Sequence, residues 1–543
     1  MPQEWSDWYT KDDATGWVLP RILRDRAAAH PDRPYIRFGE GKWVTYGEID
    51  ARADRIANAL ISRGLRKGET VSTLMPNSVD QVALWFGILR AGGVQSPINL
   101  AYRGDFLSWV INLPQSRYLV ISDDLLDRLD HVAAELPVLE HVFIWDSGQR
   151  NGPDPAVRHE PFDVLDDAPA TDPGVEVTWV DDARIMFTSG TTGRSKGVIK
   201  QHASDYFSGR TYIEVCGVTE DDVFYTCLPL FHSNAQVLNC YPALIAGARI
   251  QLSARYSSTN FWREVTECGA TILNTVSAMN YFIWNTEPGE YDRAHSVTRI
   301  MAMPAPKDIY HEFKERFGIR WHEGYGLTET GMVTYVPPGV EKPGSCGLAS
   351  PGFEVSVVQP GTDLPQPPGE PGEIVVDMKL PNIVMRAYAG MPEKTAEDFK
   401  NLKLHTGDLG VMDDEGYLYF KDRVKDYIRR RGENVSSMEV EQVVASHPAV
   451  LEAAAVGVAA GEGAGSEQEI LICIVPRNVA PDPFELLEYC AGKMPYFAVP
   501  RYVRFMDHLP KTPTERVRKV ELRDMGLGAD VYDRVVSGPK ITA

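Results

Sequence analysis

Along the first 170 residues, short apolar runs alternate with stretches whose apolar residues recur every three or four positions. Val71–Met75 reads as a strand. Ser78–Arg90 reads as a helix, with Val79, Val82, Ala83, Phe86 and Leu89 on one face and Gly92-Gly93 ending it. Val94–Ile98, Tyr118–Ser122 and His141–Trp145 are further strand candidates. Strands separated by such helices predict a parallel, doubly wound α/β sheet. Asp146–Pro173 is rich in Asp, Pro and Gly and reads as a loop or linker. From Ala183 the alternation resumes, with strands predicted at Val223–Cys227, Arg249–Leu252, Ala270–Val276 and Arg299–Met303. Between Pro337 and Arg423 the pattern shortens to β runs such as Phe353–Val358 and Glu373–Met378, separated by Pro/Gly clusters. That spacing suits a β-barrel-like subdomain, with a hairpin over Val411–Phe420. After Arg423 comes an α+β tail, with strands at Ala453–Val458 and Ile470–Val475. Its helices have marked starts: Ser436 with Glu439 as a capping box, and Asp482 before Pro483 and Glu485.

Composition narrows the classes. The 543 residues make several domains at roughly 100–200 residues each, and 43% hydrophobic content supports large cores. A net charge of −20 argues against nucleic acid or an anionic membrane surface as a partner. The seven cysteines are scattered and odd in number, which predicts free thiols in a reduced compartment. The twelve histidines show no zinc-type H-E-x-x-H spacing. The polar, acidic start is unlike a signal peptide, and no apolar run is long enough to span a bilayer, so a cytoplasmic location is expected.

Candidate chemistry begins at Phe187–Ile199, FTSGTTGRSKGVI. The apolar residues Ile185, Met186 and Phe187 predict a buried strand running into a loop of Thr188, Ser189, Gly190, Thr191, Thr192, Gly193, Ser195, Lys196 and Gly197. Glycines let backbone N–H groups converge on one point, hydroxyls add donors without bulk, and Lys196 adds a charge. Together they suit a polyphosphate. The Walker pattern is not matched, because Arg194 follows Gly193. A flexible surface loop has the same composition; the buried strand ahead of it weighs against that reading.

In residue order, TSGTTGRSKG resembles the phosphate loop of the adenylate-forming superfamily: acyl- and aryl-CoA synthetases, adenylation domains and luciferases. Other segments resemble that family in the same order. In Gly324–Thr330, GYGLTET, the resemblance implies Gly324, Tyr325 and Gly326 at the adenine, Thr328 at the α-phosphate and Glu329 as Mg²⁺ ligand. In His405–Gly410, HTGDLG, it implies Asp408 as ribose ligand; a plain Asp turn is the alternative. Phe420 and Arg423 follow as nucleotide contacts, Lys425 as hinge, and Gly432, with Glu433 and Asn434, as lining of a pantetheine passage. Arg429, Arg430 and Arg431 are candidate contacts for CoA phosphates, with a solvated basic loop as the other reading for at least one. His232, in Leu228–Asn234 (LPLFHSN), lies in the segment that borders the acyl pocket in the family; a histidine packed at a strand end is equally compatible. No Asp is present there to pair a substrate ammonium, which favours a plain carboxylic acid.

Two departures stand out. Met303 and Pro304 occupy positions usually taken by glycines, which implies a reshaped acid pocket. In Leu509–Val517, LPKTPTERV, Arg516 stands where the family has a catalytic lysine, and Glu515 replaces the preceding glycine. Arginine is a wide planar fork and does not freely replace a lysine at a tight site. The resemblance therefore implies an acyl-CoA synthetase fold: an N-terminal domain over 1–424, made of two doubly wound α/β subdomains and a β-barrel-like subdomain, and a small mobile α+β domain over 425–543. It implies ATP or acyl-AMP, CoA and Mg²⁺ as cofactors and a small carboxylic acid as substrate. With Arg516 in the lysine's place, adenylation is expected to be weak, and a separate adenylating enzyme becomes a candidate partner. Arg516, Lys511 or Lys519 doing the lysine's work would instead make a complete ligase. Loading of a carrier protein, oxidative use of the adenylate, nucleotide binding without catalysis, and assembly as a homodimer stay open.

Overall fold

The computed structural model describes residues 9, 12–150, 155, 157–188, 195–303, 305–423, 426, 428–430, 433–459, 468–512 and 517–537. The chain divides into two compact units. The first takes in Met1–Thr188, Ser195–Val355 and Val376–Leu404; the second takes in Ser356–Val375 and His405–Ala543.

The first unit is built on two large sheets. Its strands in chain order are β1 (Pro34–Phe38), β2 (Val44–Thr45), β3 (Thr70–Leu74), β4 (Val94–Pro97), β5 (Tyr118–Ser122), β6 (His141–Trp145), β7 (His159–Pro161), β8 (Asp182–Thr188) and β9 (Lys196–Gln201). They continue with β10 (Val223–Thr226), β11 (Arg249–Leu252), β12 (Ile272–Val276), β13 (Arg299–Met303), β14 (Arg320–Leu327), β15 (Gly331–Tyr335) and β16 (Leu348–Ala349). After β17 (Phe353–Val358) and β18 (Gly372–Met378), the two-residue β19 (Ala387–Tyr388) returns to the first unit. One sheet runs β19-β9-β8-β4-β3-β5-β6-β7, the other β16-β15-β14-β13-β12-β10-β11-β1-β2. The inner pairs are parallel, such as β3 with β5 and β12 with β13. Antiparallel pairs close the edges: β8 with β9, β9 with β19 and β14 with β15. The doubly wound expectation holds, and most predicted strands fall within two residues of their observed ends.

Helix α1 (Tyr46–Ser62) starts at Thr45, whose hydroxyl accepts from the Glu48 N–H at 3.1 Å while Glu48 accepts from the Thr45 N–H at 2.8 Å. Helix α2 (Val79–Arg90) starts at Ser78, which accepts from Gln81 N–H at 3.0 Å. The two helices touch at Gly87, where a Cβ would come within 2.5 Å of Ile56. Helix α3 (His202–Cys216) is tied to β8 by a buried pair in which Arg184 donates to both oxygens of Asp205, at 2.7 and 2.8 Å. The predicted linker at 146–173 is more ordered than its composition implied. Within it, β7 joins the sheet and Phe162 and Leu165 are buried in the main core. Their apolar area outweighs the surrounding turn residues.

The second unit carries β21 (Lys403–Met412) and β22 (Leu418–Arg423), which follow the short β20 (Phe399–Lys400) and pair antiparallel as the hairpin pattern implied. Its tail holds β23 (Ile428–Arg430) and β24 (Glu433–Val435), then β25 (Val450–Ala459) and β26 (Gln468–Pro476), with β27 (Tyr502–Phe505) and β28 (Val531–Asp533) completing a four-stranded sheet. Helices α4 (Ser437–Ala445), α5 (Pro483–Ala491) and α6 (Lys519–Asp524) accompany it. Asp482 caps α5, accepting from Phe484 and Glu485 N–H. At α4 only half of the predicted capping box forms. Ser436 accepts from Glu439 N–H, but the Glu439 carboxylate accepts from Lys421 Nζ at 2.8 Å. Asp422 satisfies the helix start instead, accepting from Ser437 N–H at 2.7 Å. No helix among the described residues is long and apolar enough to cross a membrane.

Candidate active site

Two clusters carry the residues singled out by their chemistry. The first lies where β8 and β9 flank the hydroxyl- and glycine-rich loop. Thr188 and Lys196 pair across these strands, and the Thr188 hydroxyl is buried with no hydrogen-bond partner among the described residues. A phosphate oxygen would give that buried donor a partner. Ser195 is held by Tyr102 at 2.9 Å, and its carbonyl accepts from the Trp109 indole. Ser189, Gly190, Thr191, Thr192 and Gly193 lie outside the described residues, as do Pro304, Lys425, Arg431, Gly432, Glu515 and Arg516.

Gly324, Tyr325 and Gly326 form the end of β14, and Thr328 and Glu329 sit in the turn to β15. A Cβ at Gly324 would meet the Thr334 carbonyl at 2.5 Å, and one at Gly326 the Gly331 carbonyl at 2.2 Å. The tightness of the hairpin by itself therefore requires glycine at both positions, a reason that the sequence did not reveal. Glu329 is brought to Lys196, with Nζ 3.8 Å from Oε1. Between them stands Tyr388, unforeseen from the sequence. Its hydroxyl is 2.8 Å from Lys196 Nζ, 2.9 Å from Glu329 Oε1 and 3.0 Å from Asp398 Oδ2. Burial, and then the Glu329 and Asp398 charges, raise the pKa of this phenol, so it stays protonated and donates.

The Glu329 turn is anchored through its main chain as well. Its carbonyl accepts from Met385 N–H at 2.6 Å and from Lys200 Nζ at 3.3 Å. Burial pushes Lys200 down to about 7. It also lifts Glu323, next to Gly324, to about 8. His232 precedes a short helix and meets Phe231 edge-on, with ring centroids 4.5 Å apart. Its loop is held by Asn77, which bonds to both Leu228 and Leu230, and the chain after it winds as a π-helix over Gln236–Cys240. Met303 ends β13 and is half-buried.

The second cluster lies in the second unit. Asp408 is buried and faces Arg423 across the β21–β22 pair, with Arg423 Nε 3.4 Å from Asp408 Oδ1. Phe420 is opposite Gly410 in the same hairpin. Glu373 secures the turn before Asp408 by accepting from Gly407 N–H at 3.2 Å and lying 3.1 Å from the His405 ring. Arg430 corrects the expectation of a CoA-phosphate contact. It is buried, donates to the carbonyls of Phe497 and Val499, and pairs with Glu469 at 2.6 Å. The side chains of Arg429, Glu433 and Asn434 lie outside the description.

A family model described as AMP-binding enzyme matches residues 23–389, and one described as AMP-binding enzyme C-terminal domain matches residues 439–516. The chain belongs to the AMP-binding enzyme family. Among the relatives of this AMP-binding enzyme is a crotonobetaine/carnitine–CoA ligase of Salmonella arizonae, 28% identical over 94% of this chain and 100% of that one. Similar solved structures include ATP-bound MatB from Rhodopseudomonas palustris, with a TM-score of 0.81, 28% identity, and coverage of 94% of this chain and 98% of the other. Another is the o-succinylbenzoate CoA synthetase of Bacillus subtilis in complex with AMP, with a TM-score of 0.79, 26% identity, and coverage of 94% and 98%. The fold of this AMP-binding enzyme is thus that of adenylate-forming enzymes, a large N-terminal part followed by a smaller C-terminal domain.

The donor set fits magnesium. No cluster of three metal-ligating side chains occurs among the described residues. Mg²⁺ characteristically takes one or two carboxylates and fills its shell with water and substrate phosphates. Glu329, 3.8 Å from Lys196, offers such a carboxylate.

Proposed function

We propose that this chain is an acyl-CoA ligase that joins a small carboxylic acid to CoA through an acyl-AMP. The observation that carries this reading is Lys196 held 3.8 Å from Glu329, at the end of a hydroxyl-rich loop and paired across the strands with Thr188, whose hydroxyl is buried. In the first step an acid oxygen attacks the α-phosphorus of ATP and pyrophosphate leaves. In the second the CoA thiolate attacks the acyl carbonyl and AMP leaves. Lys196 and the loop hydroxyls bind the leaving phosphates, and Thr328 bonds the α-phosphate. Mg²⁺ on Glu329 would offset phosphate charge. Asp408 and Arg423 take the ribose, with Phe420 beside the nucleotide, and Tyr325 stacks on adenine. His232 borders the acyl pocket. Lys425 is the pivot between the steps, Gly432 lines the thiol passage, and Arg431 meets CoA phosphate. The nucleophiles belong to the substrates, so no protein nucleophile is required.

The same reading assigns a weak adenylation step to this chain. In sequence, Arg516 and Glu515 stand where the family has lysine and glycine. The neighbouring lysines are already engaged: Lys511 with Glu452 at 2.8 Å, and Lys519 with Glu441 at 2.7 Å. A separate adenylating enzyme would then supply the acyl-AMP. The test compares acid plus ATP and CoA with synthetic acyl-AMP plus CoA, over a panel of plain carboxylic acids. Thioester from acyl-AMP, slow pyrophosphate release from free acid, and recovery in Arg516→Lys are expected. Fast pyrophosphate release by the unaltered chain would discard the weak step and leave a complete ligase. No thioester from either mixture, across the panel, would discard the ligase.

A further inference from the structure

Tyr388 belongs to none of the motifs above, yet it touches both charged groups of the phosphate site. Lys196 Nζ is 2.8 Å from its hydroxyl and 4.1 Å from its ring centroid. Lysine has only donors, so the Tyr388 oxygen accepts from it. The hydroxyl has one hydrogen and two carboxylates within reach, Glu329 at 2.9 Å and Asp398 at 3.0 Å. Asp398 also lies 3.5 Å from Lys196, and its other oxygen accepts from Lys394 at 2.8 Å. One cation and two anions therefore meet at one phenol, with Lys394 paired to the far oxygen of Asp398. The backbone fixes that phenol from two sides. Tyr388 pairs with Val198 in β9, and its N–H donates to Thr395 Oγ1 at 3.0 Å. Three residues earlier, Met385 N–H holds the carbonyl of Glu329.

We propose that Tyr388 is a positioning residue that couples Lys196 to Glu329, so that the nucleotide's phosphates and its magnesium ion are gripped as one unit, while Asp398 holds Lys196 until phosphate displaces it. A phosphate arriving at Lys196 exchanges one anionic partner for another, and the ammonium is never left unpaired. When Glu329 turns to a metal, the Tyr388 proton has Asp398 as an alternative acceptor at nearly equal distance. This inference rests on the ligase reading.

The test uses the full-length protein and measures ATP and AMP affinity by calorimetry, with and without magnesium and with no acid present, together with melting temperature. Tyr388→Phe keeps the ring over Lys196 and removes only the hydroxyl. It is expected to cut the gain in ATP affinity that magnesium gives by about tenfold, while AMP affinity stays unchanged. An intact magnesium effect, or a parallel loss of AMP binding, would overturn the coupling. Asp398→Asn relieves Lys196 of a competing anion, so it is expected to bind metal-free ATP several-fold more tightly; unchanged affinity overturns the holding role, and decides the matter if Tyr388→Phe does not fold. An unaltered chain that bound no ATP would overturn the ligase reading, and this inference with it.

Discussion

At the scale of single residues, two buried groups in the first unit set opposite pH trends. Glu323 has an ordinary value of 4.5 and sits near 8 in the fold. Between those values the folded state keeps a proton that the unfolded state has lost, so Glu323 lowers stability as pH rises through the window. Lys200 has an ordinary value of 10.5 and sits near 7. Between those values the unfolded state binds the extra proton, so Lys200 returns stability as pH rises. Melting temperature against pH should therefore fall and then recover, with Glu323→Gln flattening the first limb and Lys200→Met the second; two unchanged limbs in calorimetric scans would contradict this. Asp408→Ala should weaken AMP binding by about 1.5–3 kcal/mol, the contribution of a hydrogen bond to a charged group; equal affinity by titration calorimetry would take Asp408 out of the ribose site. Lys196, Glu329 and Asp408 could be nominated from the sequence because each stands in an ordered run of small and polar residues. Tyr388 and Asp398 were not, because each matters only through a chain reversal that brings it beside Lys196. Lys200 reads as an ordinary exposed lysine until β9 is seen to be covered.

At the scale of elements, the contact between α1 and α2 is set by one missing side chain. Alanine at 87 gains helix propensity of about 1 kcal/mol over glycine. Its Cβ would also lie 2.5 and 2.6 Å from two atoms of Ile56, whose branch at Cβ leaves little room to yield. Overpacking costs about 1–3 kcal/mol, so the clash outweighs the propensity. Gly87→Ala should lower the urea midpoint, and a higher midpoint would show that the helices move apart freely. Periodicity located α2 well, since a buried face leaves a regular trace. It missed the order in residues 157–173, where a few apolar side chains prevail over turn-forming neighbours, and half of the α4 cap, where Lys421 claims the glutamate.

At the scale of the whole molecule, all seven cysteines are thiols, and six are buried. Burial is the first cause raising the pKa of Cys216, Cys227 and Cys240, so their thiolates are scarce. A thiol reagent should modify the native protein slowly, with only the half-buried Cys268 leading, and find all seven groups in denaturant; rapid native labelling of several would contradict this packing. The change in strand spacing marked residues 337–423 as a distinct stretch, but the passage of the second unit through residues 356–375 was not legible, because composition carries no record of which segment returns to which body. That return has a consequence for biosynthesis. Until β19 arrives, β9 presents an open edge of unpaired main-chain groups, with Val198 and Ile199 among them. The ribosome makes roughly 190 residues between Val198 and Tyr388, which at about 5–20 residues per second is about 10–40 s. Throughout that interval the nascent chain carries an unpaired strand able to add to another chain. Translation that stops early, short of Tyr388, would leave this edge open for the lifetime of the product, and such fragments should depend on chaperones far more than the finished protein does.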